Sequence, residues 1–451
     1  MTSGRDERKT FSIVTFGCKL NQFESECVRQ SLVRGNWEYR RFEEGARFYI
    51  INSCTVTGKS DSRCRNAIRR ANRISPGSTI IVTGCYAEIQ PEKLADMPEV
   101  TLVLGNEEKS RIPRILNRMA DDRGIIPTGL TRSRFDEESD EPTEISDFLD
   151  HARAFIKIQE GCNASCSYCI IPQARGRSRS TPVADVLKQI DTLQQNGYEE
   201  VVLTGIHIGR YGLDLVPRTS LTELIEVILA KTNVARIRLS SIEVTEVTPG
   251  LVDLVARNNR VAAHLHIPLQ SGDNEILAAM NRPYHADFFR EKIMEISSFG
   301  PGIAVGTDII VGFPGEGAEH FSNTYRLVRD LPISYFHVFS FSRRPGTKAS
   351  AMPGQIPPEV KKKRSKKLIQ LGKMKKRQFM KSRVGSKELA LVQGPKHRYS
   401  RFSRTMTGNY CEVYVQCPSS MTGKLTPLIV THYSRGRLYG HIMERSATSG
   451  A

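Results

Sequence analysis

Short apolar runs recur between residues 11 and 341, and stretches of helical periodicity separate them. Runs of this kind, bounded by Gly and turn residues, predict strands, and their alternation with helices predicts parallel sheets. The first 120 or so residues repeat the arrangement three times. FSIVTF (11–16) runs into Gly17 and Cys18, with a helix over about 21–34. FYIINS (48–53) runs into Cys54, with an Arg-rich helix over about 59–73, and TIIVTG (79–84) runs into Cys85. The carboxyl ends of parallel strands share one edge of their sheet, where ligands bind. Three cysteines distant in sequence are therefore expected at one rim.

The charged, Pro-containing stretch 131–150 reads as a linker. Six more strands are predicted after it: AFIKIQ (154–159), EVVLTG (200–205), ARIRLSS (235–241), AHLHIPL (263–269), IAVGTDIIVG (303–312) and YFHVFSF (335–341). Their spacing is that of βα units and predicts a parallel barrel, open or closed, with its active site at the carboxyl ends of the strands. Residues 361–383 contain twelve Lys or Arg and no acid, with Leu368, Leu371, Met374 and Phe379 at near-helical spacing. This is a basic amphipathic helix, either a polyanion contact or a solvated face. From about 386 the texture changes to ELALVQG, CEVYVQC, LIVTHYS and RLYGHIM, which suits a small antiparallel barrel. Cys411, Val413, Val415 and Cys417 share one strand face there and read as core.

A length of 451 residues suggests about three domains at about 150 residues each. The divisions fall at 9–125, 148–383 and 384–446. With 39% hydrophobic and 25% charged residues, disorder and collagen-like repeats are excluded. No apolar run approaches the about 18 residues of a membrane span, and the charged start MTSGRDERK is no signal peptide. A cytoplasmic protein without a membrane partner is expected. Lys and Arg number 65 against 48 acids, leaving +17, which favours nucleic acid as partner over a merely basic surface. In such a protein the ten cysteines are metal ligands or core residues rather than disulfides.

EGCNASCSYCIIP carries Cys162, Cys166 and Cys169 in C-x3-C-x2-C spacing directly after the first barrel strand. Three thiolates on one tight loop can hold three corners of a four-iron, four-sulfur (4Fe-4S) cluster and leave the fourth iron open to a ligand. A structural zinc site would need a fourth protein ligand, and none is near in sequence. Cys18, Cys54 and Cys85 form a second set, separated by 36 and 31 residues. Spacing alone leaves a second cluster and buried thiols both open. Cys27 and Cys64, inside the following helices, read as core. His264 and His266 alternate onto one strand face and read as packed barrel histidines.

Across almost the whole chain, these motifs resemble one family. TFGCKLNQFESE, INSCTVTGKSDSRCRNAIRR and VTGCYAE resemble the amino-terminal part of the radical S-adenosylmethionine (SAM) methylthiotransferases. KIQEGCNASCSYCIIPQARGRSRS, VVLTGIHIGRYG, RLSSIEVTEVT, HLHIPLQSGDNEILAAMNR, GTDIIVGFPGE and HVFSFSRRPGTKA resemble their central part, and the last segment resembles their RNA-binding TRAM barrel. The resemblance implies an α/β fold: an amino-terminal parallel βα domain, a central radical-SAM (βα)6 partial barrel and a small antiparallel β-barrel. It implies two 4Fe-4S clusters, one on Cys162, Cys166 and Cys169 and an auxiliary one on Cys18, Cys54 and Cys85. In this family SAM chelates the open iron of the first cluster and yields a 5′-deoxyadenosyl radical, and two SAM molecules are consumed per methylthio group transferred.

SAM contacts implied by the resemblance are Thr204 and Gly205 after the second strand, Ser240, Ser241 and Glu243 after the third, Gln270 and Ser271 after the fourth, and Asp308 and Gly312 around the fifth. Each is also an ordinary strand-end residue. TVT after Cys54 and ARGRSRS after Cys169 resemble the subgroup acting on threonylcarbamoyladenosine in tRNA rather than those acting on isopentenyladenosine or a ribosomal protein. Gln173, where an aromatic is common, and SGDNE, in place of an SGS-type turn, depart from the family pattern. Arg175, Arg177 and Arg179 are candidates to bind phosphate or the threonylcarbamoyl carboxylate, or to pair with local acids. The expected partners are tRNA, an electron donor and a sulfur source. A non-catalytic RNA-binding iron–sulfur protein is the alternative of a different class.

Overall fold

The computed structural model describes residues 9–121, the backbone of 129–130, and residues 145–149, 151–395 and 401–443. Most of the linker expected over 131–150 lies outside these residues. Strands β1 (Thr10–Thr15), β2 (Phe48–Ser53) and β3 (Thr79–Gly84) run parallel at the centre of one sheet. Two-residue strands flank them, Glu38–Tyr39 on one side, Leu102–Val103 and Gly129–Leu130 on the other. Every residue of β2 is buried, which is why it reads as a continuous apolar run rather than an alternating one. Helices α1 (Lys19–Arg34), α2 (Gly58–Ile74) and α3 (Cys85–Ile89) follow the three strands.

Gly84 closes β3 at φ +95°, and a Cβ there would lie 2.5 Å from Ser53 O and 2.6 Å from Asn52 Oδ1. Gly84→Ala is therefore expected to cost about 1–3 kcal/mol in backbone strain, with the contact penalty in addition. Denaturant unfolding would read this as a lowered midpoint, and an unchanged midpoint would contradict the geometry.

The central strands are β4 (Ala154–Lys157), β5 (Glu200–Thr204), β6 (Arg236–Leu239), β7 (His264–His266), β8 (Ala304–Val311) and β9 (Tyr335–Ser340). Neighbours are parallel throughout, and bridges at Ile237–Val261 and Ser241–His266 join β6 to β7. Among the described residues β4 and β9 do not pair, so the six βα units form a partial barrel. Helix α1 packs on β4, and its Phe23 and Cys27 reach the barrel core. The amino-terminal sheet thus sits at the open edge of the barrel.

Helix α4 (Pro358–Ser382) runs along β9 and buries Leu368, Leu371, Gly372 and Met380. Met374, expected on the apolar side, is 58% exposed. A five-stranded closed barrel follows: β10 (Lys387–Pro395), β11 (Ser403–Thr407), β12 (Glu412–Val415), β13 (Leu425–Ser434) and β14 (Arg437–Ile442), in the order β10-β11-β12-β14-β13. Strand β11 is absent from the sequence expectation because its inward residues, Ser403, Thr405 and Thr407, are polar. Thr405 Oγ1 donates to Val413 O (2.9 Å), and Cys411 N donates to Thr407 Oγ1 (2.9 Å). Hydrogen bonds thus satisfy positions where an apolar side chain was looked for.

The small barrel plugs the amino-terminal mouth of the large one. Arg236 and Arg238 converge on Glu200, with Arg236 Nε donating to Oε2 (2.6 Å) and Arg238 Nε to Oε1 (2.8 Å). Their remaining nitrogens donate to four carbonyls of the small barrel, those of Leu389, Met406, Thr407 and Gly408, at 2.8–2.9 Å.

Candidate active site

The loop after β4 is held from several sides. Cys162 N donates to Gly176 O (3.1 Å), Ser167 N to Met280 O (3.0 Å) and Asn281 Nδ2 to Ser165 O (2.9 Å). Gly161, at φ +70°, would bring a Cβ to 2.0 Å from Arg177 O, so the turn entering the loop admits no side chain. Cys162 Sγ lies 3.4 Å from His207 Nδ1 and accepts from Ala164 N (3.3 Å). Burial pushes this thiol up, but those hydrogen bonds outweigh it and hold Cys162 below the ordinary thiol value. Burial pushes Cys169 up to about 12. Arg282 Nη1 donates to Cys166 Sγ (3.4 Å), and Arg282 also pairs with Glu243.

The second triad forms where three strands end. Cys18 caps α1, and Cys85 opens α3. A Cβ on Gly17 would meet Cys54 Sγ at 3.0 Å, so the turn before Cys18 rests directly on Cys54. Burial pushes Cys54 up to about 11, and the nearby thiols of Cys85 and Cys18 add to the rise. Asn21 Nδ2 donates to Phe16 O (2.7 Å) and Ser53 O (3.0 Å), while Ser53 Oγ accepts from Tyr86 N (3.1 Å). These bonds lace the three strand ends into one rim. Cys27 packs against the barrel core, and Cys64 is buried.

All six cysteines are free thiols. Among the described residues, the one compact group of donors suited to a single ion is His266, Asp308 and His337, which includes no cysteine. Neither triad is therefore drawn in as a closed zinc site would be, and the chemistry of three thiols per site fits a polynuclear iron–sulfur cluster with one iron left free.

The residues expected to contact SAM divide in two. Ser240 Oγ is buried without a hydrogen bond, and so is Asp308 Oδ1, although His266 Nε2 lies 3.3 Å from it. Ser241 Oγ meets His266 Nδ1 at 2.9 Å and so orients that ring toward Asp308. Gly205 has no room for a Cβ, which would sit 2.7 Å from Gln159 O. That glutamine's Oε1 accepts from Ile206 N and His207 N, tying the end of β5 to the cysteine loop. Thr204 is buried and accepts from Ile158 N through its carbonyl (2.9 Å). Gln270 adopts φ +65° and bridges to β8, its N donating to Asp308 O (2.8 Å) and its carbonyl accepting from Ile310 N (2.9 Å). The remaining three are occupied within the protein: Glu243 by Arg282, Ser271 by Thr324, and Gly312 N by Glu316 Oε1 (3.0 Å).

The three arginines after Cys169 lie in different settings. Arg175 is buried and binds Glu24, Asn21 and Glu160, the last at 3.0 Å. Burial would raise Glu24, but Lys109 and Arg175 overcome it and hold its carboxyl near 2. This network welds α1 to the cysteine loop and engages both Arg175 Nη atoms, while Nε is buried without a hydrogen-bond partner. Arg177 is exposed, and Arg179 reaches Glu160 only at 4.0 Å. Sequence reasoning missed His207 with its partner Glu246 (2.8 Å), Arg282, and His337. His337 reads simply as strand in YFHVFSF. His264, expected as packed, is buried, stacks on Tyr410 at 4.6 Å and meets Tyr335 Oη at 2.7 Å.

Residues 10–105 match the Uncharacterized protein family UPF0004, and residues 156–328 match the Radical SAM superfamily. The chain is 37% identical to Threonylcarbamoyladenosine tRNA methylthiotransferase MtaB of Bacillus subtilis, over 92% of each chain. It is 32% identical to tRNA-2-methylthio-N(6)-dimethylallyladenosine synthase of Moorella thermoacetica, over 97% of this chain and 99% of that one. Among solved structures, the radical SAM methyltransferase TsrM of Kitasatospora setae shares the fold at a TM-score of 0.56 and 15% identity, covering 76% of this chain and 75% of that one. The chain belongs to the radical SAM methylthiotransferase family.

Proposed function

We propose that this protein attaches a methylthio group to C2 of threonylcarbamoyladenosine in tRNA, just 3′ of the anticodon. The observation that carries the reading is the pair of three-thiol rims on two elements fixed to one another, in a chain 37% identical to an MtaB over 92% of its length. Cys162, Cys166 and Cys169 would hold one 4Fe-4S cluster, and Cys18, Cys54 and Cys85 the other. With SAM bound, the first would supply the electron for radical formation, and the second would hold the sulfur to be transferred.

The chain's own residues do the rest. Ala164 N–H and His207 hydrogen-bond Cys162, and Arg282 hydrogen-bonds Cys166, as donors to ligand sulfurs do when they tune a cluster. Ser240 and Asp308 offer unoccupied polar atoms to SAM. The Glu24–Arg175–Glu160 network ties the element of one rim to the loop of the other, and the small barrel docks at the far mouth through Arg236 and Arg238.

The chain divides, on this reading, at 9–125, 148–383 and 384–446, with the last segment a TRAM-like RNA-binding barrel. Among the described residues no helix is long and apolar enough to cross a membrane, and cytoplasmic action on tRNA follows from the proposed substrate. An electron donor and a sulfur source would come from separate partners. Nucleoside mass spectrometry of tRNA from cells with and without the gene tests the assignment. Loss of 2-methylthio-threonylcarbamoyladenosine on deletion supports it; loss of the isopentenyl derivative instead would move the chain to the other tRNA subgroup.

Helix α4 divides its cations by role. Lys361, Arg364 and Lys375 bond to Phe341 O, Glu316 and Leu331 O within the protein. Lys362, Lys363 and Lys366 are exposed. Changing these three to Gln is expected to weaken tRNA binding and to flatten its salt dependence, by about 0.9 in log–log slope for each duplex phosphate no longer neutralised. An unchanged slope in a salt titration would make this face a solvated one.

A further inference from the structure

Lys19 follows Cys18 directly and is the first residue of α1. Residues four apart lie on one face of a helix, so Lys19, Phe23 and Cys27 form a row, and the last two pack against the barrel core. Lys19 therefore starts the row that faces the barrel, beside the cysteine rim. Its ammonium interacts electrostatically with Arg153, Arg238 and Glu200 and contributes to the field at His264 on β7. Arg238, Glu200 and His264 belong to the barrel strands and Arg153 precedes β4, so the Lys19 head, like Phe23 and Cys27 on the same row, faces the barrel interior.

The head has no partner there. Among the described residues it makes no ion pair or hydrogen bond. Glu200, the acid among its electrostatic neighbours, is already bound by Arg236 and Arg238. Four cations, Lys19, Arg153, Arg236 and Arg238, thus gather around one carboxylate. A half-buried ammonium left this way is unfavourable unless a ligand brings an anion. Arg175 already carries two carboxylates, those of Glu24 and Glu160.

We propose that Lys19 reads the carboxylate of the threonylcarbamoyl group, so that the residue after the first auxiliary cysteine sets substrate choice. This rests on the reading of the site as one for threonylcarbamoyladenosine. A charge-assisted hydrogen bond of this kind discriminates by about ten-fold or more. An isopentenyl group would leave the ammonium unpaired.

The test uses the full cluster-loaded chain and anticodon stem-loops bearing threonylcarbamoyladenosine, isopentenyladenosine or plain adenosine, with Kd read by fluorescence anisotropy. The native protein is expected to bind the first about ten-fold or more tighter than the other two. Lys19→Met should erase that preference while its iron content and its affinity for the plain stem-loop match the native protein, and Lys19→Arg should keep much of it. Undiminished discrimination by Lys19→Met overturns the proposal, as does loss of iron in that variant, which would assign Lys19 to the cluster. A native protein that does not discriminate at all overturns the functional reading itself, which is a separate result.

Discussion

Replacing Cys162, Cys166 and Cys169 together by Ala is expected to halve the iron of anaerobically reconstituted protein, from about eight atoms per chain to about four. SAM cleavage should fall to background. The reason is geometric: the two rims are built on different elements, one on a loop after β4 and the other at the ends of β1, β2 and β3. Each has its own set of backbone bonds, so emptying one leaves the other standing. Replacing Cys18, Cys54 and Cys85 should also leave about four irons but spare SAM cleavage without RNA, because that rim lies outside the loop that takes SAM. Native protein that saturates near four irons would contradict the auxiliary site.

Glu200→Gln is the substitution expected to cost most in stability. Glu200 is fully buried, and Arg236 and Arg238 are at most 2% exposed. Burial would raise the Glu200 carboxyl, but Arg238 and Arg236 overcome it and hold it near 2. Removing one member of a buried charge set costs about 3–5 kcal/mol, because the remaining charges stay desolvated and unpaired. The same two arginines carry the small barrel through four carbonyls, so its docking should loosen as well. Limited proteolysis between α4 and β10 should quicken in the variant, and the unfolding midpoint should drop. The pH dependence has a definite sign. A carboxyl whose folded value is depressed stabilises the fold fully above its unfolded value of about 4.3 and loses that contribution as pH falls toward 2. Native protein should therefore lose its barrel docking between about pH 4.3 and pH 2, and Glu200→Gln should lack that transition.

Much of the site was legible from local signals. The triad Cys162, Cys166 and Cys169 lies within eight residues, a spacing at which backbone geometry alone brings the thiols together. The rim of Cys18, Cys54 and Cys85 spans 68 residues, yet it was legible too, because parallel topology forces the carboxyl ends of neighbouring strands to one edge. Strands buried on both faces announce themselves as continuous apolar runs, as β2 does.

What the sequence could not decide was which polar groups would face one another. ARGRSRS offers three arginines on one loop, and nothing local says that Arg175 turns inward to Glu24, which lies 151 residues earlier. SRTMT has no apolar alternation, since β11 fills its side of the small barrel with hydroxyls that find carbonyls only after the barrel closes. The pairing of Arg236 and Arg238 with Glu200, and their grip on a barrel some 170 residues later, depends on two folded bodies meeting. The gathering of His266, Asp308 and His337 likewise follows from the register of three strands. Periodicity along a chain determines which face of an element is apolar, and so the sequence determined the long parallel strands and the cysteine rims. The partner of a charge is set by the direction of side chains on elements brought together from far apart, and only the tertiary structure decided which cations are bound within the protein and which, like Lys19, are left for a ligand.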